Sequence, residues 1–297
     1  MKRPLLYTLY IMGIAALLPF TSCSRGIHEQ GNALAIEIVW DENSMSEGDD
    51  ADTPPDLTGI TVYIYGTDGM LRDSIRYNNA GEVAANSHQV PAGDYVIVTT
   101  SNVEGSLSVN DEEIMSLEQL MIEQGEGTPP GQTYYSIQWV HVDATGVTTS
   151  RQELRPVLSR LQVNVVGATE GSTLQTEVLN AAKCFYPSRP NSAGSYGIPS
   201  EEATAYTLPP GAMVADTRAE TTGRMSTDSH LMPTATGETE AVVRITYTPQ
   251  DGTPVTQTYR SKPMLSGKQY ELTLNLDMEI VLDGYDYGTS DWDQVEF

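Results

Sequence analysis

Apolar residues recur every second position along most of this chain. Leu34, Ile36, Ile38 and Trp40 fall on one face of an extended segment, the period of a half-buried strand. Ile60, Val62 and Ile64 repeat the pattern, and Thr67-Asp-Gly69 turns the chain into Met70–Tyr77 to complete a hairpin. Pro91 and Gly93 punctuate a turn that feeds a short β-branched strand over Tyr95–Thr100. Tyr134–Val142 and Thr148–Pro156 read as another pair. Leu158–Val166 alternates again, with Leu161, Val163 and Val165 inward. Further strands are expected near 171–185, 204–208, 239–248 and 254–262. The longest alternation is Tyr270–Ile280, where Tyr270, Leu272, Leu274, Leu276, Met278 and Ile280 share one face.

One stretch changes period. Asn110 is a good helix cap, Glu113 stands three residues on, and Ile114, Leu117 and Met121 share a helical face before Gly125. A short helix is expected there, covering one end of the first half. Asp41–Asp56, Pro187–Ser200 and Asp216–Ser229 are poor in large apolar residues and read as surface loops.

The resulting fold class is all-β, with two tandem β-sandwich domains and one short helix in the first. The boundary falls near Pro156, giving domains over 34–156 and 157–297. Gly93-Asp-Tyr95 and Gly267-Lys-Gln-Tyr270 both place a glycine just before a tyrosine that opens an apolar-rich strand, a weak sign of two related units.

The region ahead of the strands has a different character. Lys2 and Arg3 precede a charge-free apolar run over Leu5–Phe20, then Thr21, Ser22 and Cys23. The run is shorter than the roughly 20 residues a membrane span needs. It reads as a lipoprotein signal peptide over 1–22, cut between Ser22 and Cys23, with the Cys23 thiol acylated and 23–33 as a tether. More than one acyl chain, at about 0.8 kcal/mol per buried methylene, makes a stable anchor.

Charge narrows the partners. The 297 residues carry a formal charge of −24, and the leader holds only Lys2 and Arg3. The exported chain is therefore more acidic still, and is repelled by nucleic acid and anionic headgroups. Membrane attachment is assigned to the lipid on Cys23 alone. With Cys23 acylated, Cys184 has no disulfide partner and reads as a buried thiol. Sixteen Tyr against three Phe suit sheets with one wet face.

Catalytic motifs do not emerge. There is no nucleophile elbow, phosphate-cradling loop or paired-histidine metal motif. His28, His88, His141 and His230 lack ligand spacing. Asp283, Asp286, Asp291 and Asp293 lack the regular spacing of a calcium loop and read as a solvated tail. Tyr285, Tyr287, Trp292 and Phe297 in the same stretch read as closing a sandwich edge. No catalytic residue, metal ligand or cofactor beyond the covalent lipid is expected.

These features together resemble a known family. An acylated Cys23 leads into the strand Leu34–Trp40. Val90-Pro-Ala-Gly-Asp-Tyr95 enters Val-Ile-Val-Thr-Thr-Ser-Asn102. A second β domain closes with Gly267-Lys-Gln-Tyr-Glu-Leu-Thr-Leu-Asn-Leu276, and Trp292 stands near the end. This is similar to the Bacteroidales-type fimbrillin superfamily, and within it to the anchor-like accessory subunits of the minor fimbriae. The resemblance implies two transthyretin-like β-sandwich domains, no enzymatic activity, an outer-membrane location and fimbrial pilin partners. It also implies assembly by β-strand addition. Shaft pilins of that superfamily are cut by a trypsin-like protease after the first strand, which opens a groove for a neighbour's strand. Between Trp40 and Ile60 this chain has no Arg or Lys, and the nearest are Arg25 and Arg72. The first strand is thus expected to stay, giving a permanently tethered anchor on the cell surface. A second reading is a surface glycan-binding lipoprotein of a polysaccharide-uptake system. Exposed Trp and Tyr gathered on one rigid face would mark it.

Overall fold

A computed structural model describes residues 32–40, 56–110, 116–191, 193–214, 223–276 and 282–285. They build two tandem β-sandwiches. The first half contributes β1 (Ala33–Trp40), β2 (Ile60–Gly66), β3 (Leu71–Tyr77), β4 (Ser87–Gln89), β5 (Gly93–Ser101), β6 (Leu107–Val109), β7 (Ile122–Gln124), β8 (Tyr134–Val142) and β9 (Val147–Pro156). One sheet runs β3-β2-β5-β8-β9-β1-β4. Strands β8 and β9 pair only at Tyr134↔Pro156 and Tyr135↔Arg155, far from their connecting turn. The sheet therefore folds over at that seam, and β9-β1-β4 lies across β3-β2-β5-β8. Leu34 and Ile36 from one layer meet Ile60, Val62, Ile64 and Ile97 from the other, the interdigitation expected of an aligned sandwich.

Strand β2 is buried on both faces, because Tyr63 and Tyr65 point away from that core into a second cluster with Val96, Val98 and Leu120. Leu120 belongs to the stretch where the sequence predicts a helix, and here the expectation fails. Residues 111–115 lie outside the described residues. After them come a single 3-10 turn at Leu117–Gln119 and then β7. Asn110 is a clamp: its amide donates to the Gln119 carbonyl (2.6 Å) and its side-chain oxygen accepts from the Met121 N–H (3.0 Å). The short helix of the first half is instead α1 (Ala80–Ala85), capped by Asn79, whose side chain accepts from the Glu82 N–H. The Glu82 carboxylate reaches back to the Asn78 N–H (2.8 Å), a variant of the capping box.

The second half contributes β10 (Ser159–Ala168), β11 (Thr173–Ala182), β12 (Cys184–Pro190), β13 (Tyr196–Pro199), β14 (Ala203–Thr207), β15 (Ala212–Val214), β16 (Gly223–Leu231), β17 (Ala241–Thr248), β18 (Val255–Ser261), β19 (Gln269–Asn275) and β20 (Leu282–Tyr285). Sheet β15-β16-β10-β19-β20 faces sheet β14-β11-β17-β18. Leu161, Val163, Val165, Leu272 and Leu274 from the first meet Val178, Val243 and Ile245 from the second. In each half an early strand pairs in parallel with a late one: β1 with β9, and β10 with β19.

Three expectations need correction here. Pro187–Ser200 is not simply a loop, since β12 runs to Pro190 and β13 comes after it. Asp216–Ser229 holds most of β16, whose inward face carries Met225, Thr227, Ser229 and Leu231. Two of those four are small and polar, which hides the alternation; Thr227 satisfies its hydroxyl by donating to the Pro209 carbonyl (2.6 Å). The strand expected over Tyr270–Ile280 ends at Asn275. Leu272 and Leu274 are buried as expected, whereas Tyr270 and Leu276 are only partly so. Met278 and Ile280 lie outside the described residues.

Candidate functional site

The first strand is held along its whole length. Strand β1 pairs in parallel with β9 at eight consecutive positions, from Ala33↔Val147 to Trp40↔Leu154. On its other side β4 covers only Ala33–Ala35. Leu34 and Ile36 are fully buried between the layers, and each such side chain contributes about 1.5–3 kcal/mol by leaving water. Val83 of α1 joins the same cluster.

A buried polar tie spans the fold-over seam beside this strand. Gln152 of β9 is fully buried. Its carbonyl oxygen accepts from the Ser136 hydroxyl (2.5 Å) and the Thr99 hydroxyl (3.4 Å), and its amide donates to Ser150 (2.7 Å). These bonds tie β9 to the laddered Thr99↔Ser136 pair of β5 and β8, beyond the two positions where β8 and β9 pair. Each buried polar group needs a partner, so the set also fixes the register of β9 under β1.

The two halves share a seam. Strand β12 pairs with β7 at Cys184↔Glu123 and Phe185↔Ile122, so one sheet, β13-β12-β7-β6, carries strands of both. The Gln124 side chain accepts from the Met232 N–H (2.8 Å). Phe185 packs edge-on against Tyr135, ring centroids 4.9 Å apart. The Tyr135 hydroxyl donates to the Tyr196 carbonyl (2.7 Å). Gly197 makes this approach possible: its φ is +97°, and a Cβ there would collide with the Tyr135 hydroxyl. The same contact sets the Tyr196 ring against Trp139, centroids 4.4 Å apart. Cys184 is free and buried, as expected.

The second half leaves an open side. Among the described residues, β18 and β20 are edge strands of its two sheets, at the ends opposite β14 and β15. Strand β20 pairs with β19 from Glu271↔Tyr285 to Leu274↔Leu282. Between β18 and β19 lies an apolar cleft of about 210 Å³, lined by Ile245, Tyr247, Val255, Tyr259, Leu274 and Leu276 among others. Burial pushes the Tyr259 hydroxyl up to about 12. Val255 is half exposed at the mouth.

Two histidines make defined contacts. His88, opposite Leu34 in the β1–β4 pair, is buried and lies 3.2 Å from the Tyr77 hydroxyl. Burial holds its pKa below the ordinary value. His141 pairs with Asp94 at 2.7 Å on the surface, and that hydrogen bond raises its pKa. Among the described residues, no group of three or more His, Cys, Asp and Glu is placed to hold a metal ion, and no helix is long and apolar enough to cross a membrane. The arrangement offers strand edges, an apolar cleft and a rigid aromatic seam, which is the chemistry of binding.

Of the residues singled out from the sequence, Ser22 and Cys23 lie outside the described residues, as do Asp286, Tyr287, Asp291, Trp292, Asp293 and Phe297. Asp283 and Tyr285 belong to β20. Sequence reasoning missed the Trp139–Tyr196 pair. A signal for it existed: Trp139 falls out of phase with the inward series Tyr134, Ser136, Gln138, Val140 and Val142, placing a large aromatic on the outer face.

Comparison with known proteins agrees with this architecture. A family model for the fimbrillin-A associated anchor proteins Mfa1 and Mfa2 matches residues 23–292. No curated protein sequence matches the chain. Among solved structures, the fimbrial anchor protein Mfa2 from Porphyromonas gingivalis is 14% identical, with a TM-score of 0.54 over 85% of this chain and 98% of that one. A candidate adhesin from Bacteroides ovatus is 12% identical, with a TM-score of 0.58 over 87% of this chain and 96% of that one. A candidate polysaccharide-binding protein from Bacteroides thetaiotaomicron is 12% identical, with a TM-score of 0.56 over 85% and 96%. At these identities the structures speak to the fold, and the family model speaks to kinship over most of the length. The chain belongs to the family of fimbrillin-A associated anchor proteins.

Proposed function

We propose that the mature chain is a non-enzymatic accessory subunit. It is tethered to the outer membrane at the cell surface by lipid on Cys23, and it holds a fimbrial pilin by β-strand addition. The observation that carries this reading is the seat of β1. Eight consecutive parallel pairs with β9 and two fully buried side chains hold it in place. The next residues, 41–59, contain no Arg or Lys for a trypsin-like protease to use. A subunit that keeps its first strand also keeps the lipidated segment ahead of it. It therefore remains at the membrane, where a shaft subunit would be released.

The partner contact is assigned to the open side of the second half. Among the described residues β20 is an edge strand, and unpaired main-chain groups at an edge pair readily with an incoming strand. The adjacent cleft supplies pockets for that strand's alternate side chains. The test is co-purification of a pilin with the full chain and with a chain lacking residues 282–297, which removes β20. Weaker capture with an unchanged first half supports the reading. Full capture by the truncated chain moves the contact to the first half and its 41–56 segment.

A further inference from the structure

We propose that the Trp139–Tyr196 pair, with the Asp94–His141 pair beside it, is a binding platform for a neutral glycan. The inference stands apart from the pilin contact. That contact lies at the β18–β20 side of the second half, whereas this site lies on the outer face of β8 at the seam between halves.

The face is laid out by register. Val96↔Trp139 and Asp94↔His141 are consecutive same-face pairs of the β5–β8 ladder. Two residues along a strand span about 6.6–6.8 Å, so the indole and the imidazole stand roughly one pyranose ring apart. Next to them Val96 is buried under Leu120, but Trp139 is 50% exposed. Tyr196 covers part of the indole and is itself only partly buried.

The platform is pre-organised. Trp139 lies on a strand laddered to β5 over its full length. Tyr196 is pinned from behind by the Tyr135 hydroxyl on its carbonyl, and Gly197 permits that approach. Rigid aromatic anchors lose little conformational freedom on binding, which favours affinity. An aromatic pair serving only to close the seam would bury its largest ring, as Phe185 does at the same seam, at 1% exposed. Here the closing work falls to Phe185 and Tyr135, and the indole is left half in water.

Chemistry selects the occupant. A sugar ring offers an apolar C–H face to an aromatic plane and hydroxyls at its rim to polar groups. His141 and Asp94, bonded to each other at 2.7 Å and both about two-thirds exposed, supply a donor and acceptor pair at the rim. Ligand sites of this kind combine aromatic walls with a few placed polar groups. The formal charge of −24 repels anionic polysaccharide, so the glycan is neutral.

The test is affinity gel electrophoresis of the mature chain in gels cast with mannan, laminarin, xyloglucan or dextran. Retardation by at least one is expected. Trp139→Ala and Tyr196→Ala should each weaken that retardation by about tenfold or more, a factor equal to about 1.4 kcal/mol. His141→Gln should weaken it less, and thermal melts of Trp139→Ala should match the parent. Retardation unchanged in Trp139→Ala overturns the proposal, as does absence of retardation in all four gels. Loss of pilin capture in Trp139→Ala without any glycan binding also overturns it and makes the pair a protein contact.

Discussion

The hydroxyl of Tyr135 donates to the carbonyl of Tyr196 at 2.7 Å and ties the first half of the chain to the second. The bond exists because Gly197, the next residue, has no side chain and a φ of +97°. Gly197→Ala should therefore act twice, through backbone strain and through collision with Tyr135. A loss of at least about 2 kcal/mol is expected from the strain of a non-glycine residue in that region. Tyr135→Phe should cost only about 1 kcal/mol, the worth of one net hydrogen bond. Thermal melts of both variants check this, and equal losses would remove the steric explanation.

Leu274 is 5% exposed and sits between the layers of the second half. Leu274→Asp places an unpaired charge there, and a loss of several kcal/mol should unfold that sandwich. Limited proteolysis should then cut preferentially beyond Pro156. Protection of 157–276 equal to the parent would contradict the assigned core.

His88 gives the fold an acid-sensitive point beneath β1. Burial lowers its folded pKa below the ordinary value of about 6.5, while Asp73 acts weakly the other way. The unfolded chain therefore binds the proton more tightly. Stability from the neutral ring is present above about 6.5 and is lost as pH falls through the folded pKa. His88→Gln should flatten that acid limb. Melting temperatures measured between pH 4 and 8 check it, and parallel curves for both proteins would rule it out. His141 has the opposite sign: its raised pKa gives stability that fades as pH rises through the folded value. Its exposure makes that effect small and salt-sensitive.

The lipid attachment predicts that Cys23→Ala leaves the membrane or remains uncut, because Cys23 is the only acylation site expected near the leader. Fractionation after palmitate labelling checks this. Unchanged label on the variant would sink the assignment.

Most strands were legible because their inward residues are large and apolar. Leu34, Ile36 and Ile38 need only the period of two to be read, and so do Leu161, Val163 and Val165. The misreadings share a physical cause. Strand β7 lies between β6 and β12, and Cys184 and Phe185, some sixty residues later, supply its second partner, of which local pattern carries no trace. Strand β16 turns Thr227 and Ser229 inward, so it looks like a loop. The α1 helix had its signal, Asn79 three residues before Glu82, but only six residues of length to display it. The tyrosines after Gly93 and Gly267 do share a device. Tyr95 donates to the Pro91 carbonyl (2.9 Å) and Tyr270 to the Pro263 carbonyl (3.3 Å). The candidate binding features were harder to read, because the cleft and the aromatic seam are assembled from residues far apart in sequence.

Retention of the first strand is the central claim, and the intact mass of the protein tests it most directly. The chain should be expressed in a host that secretes a trypsin-like protease and recovered from its membranes. The expected mass is that of residues 23–297 plus acyl groups, with β1 still attached. A mass matching a chain that begins beyond Trp40 would contradict the account, because it would mean that β1 and its lipid had been removed.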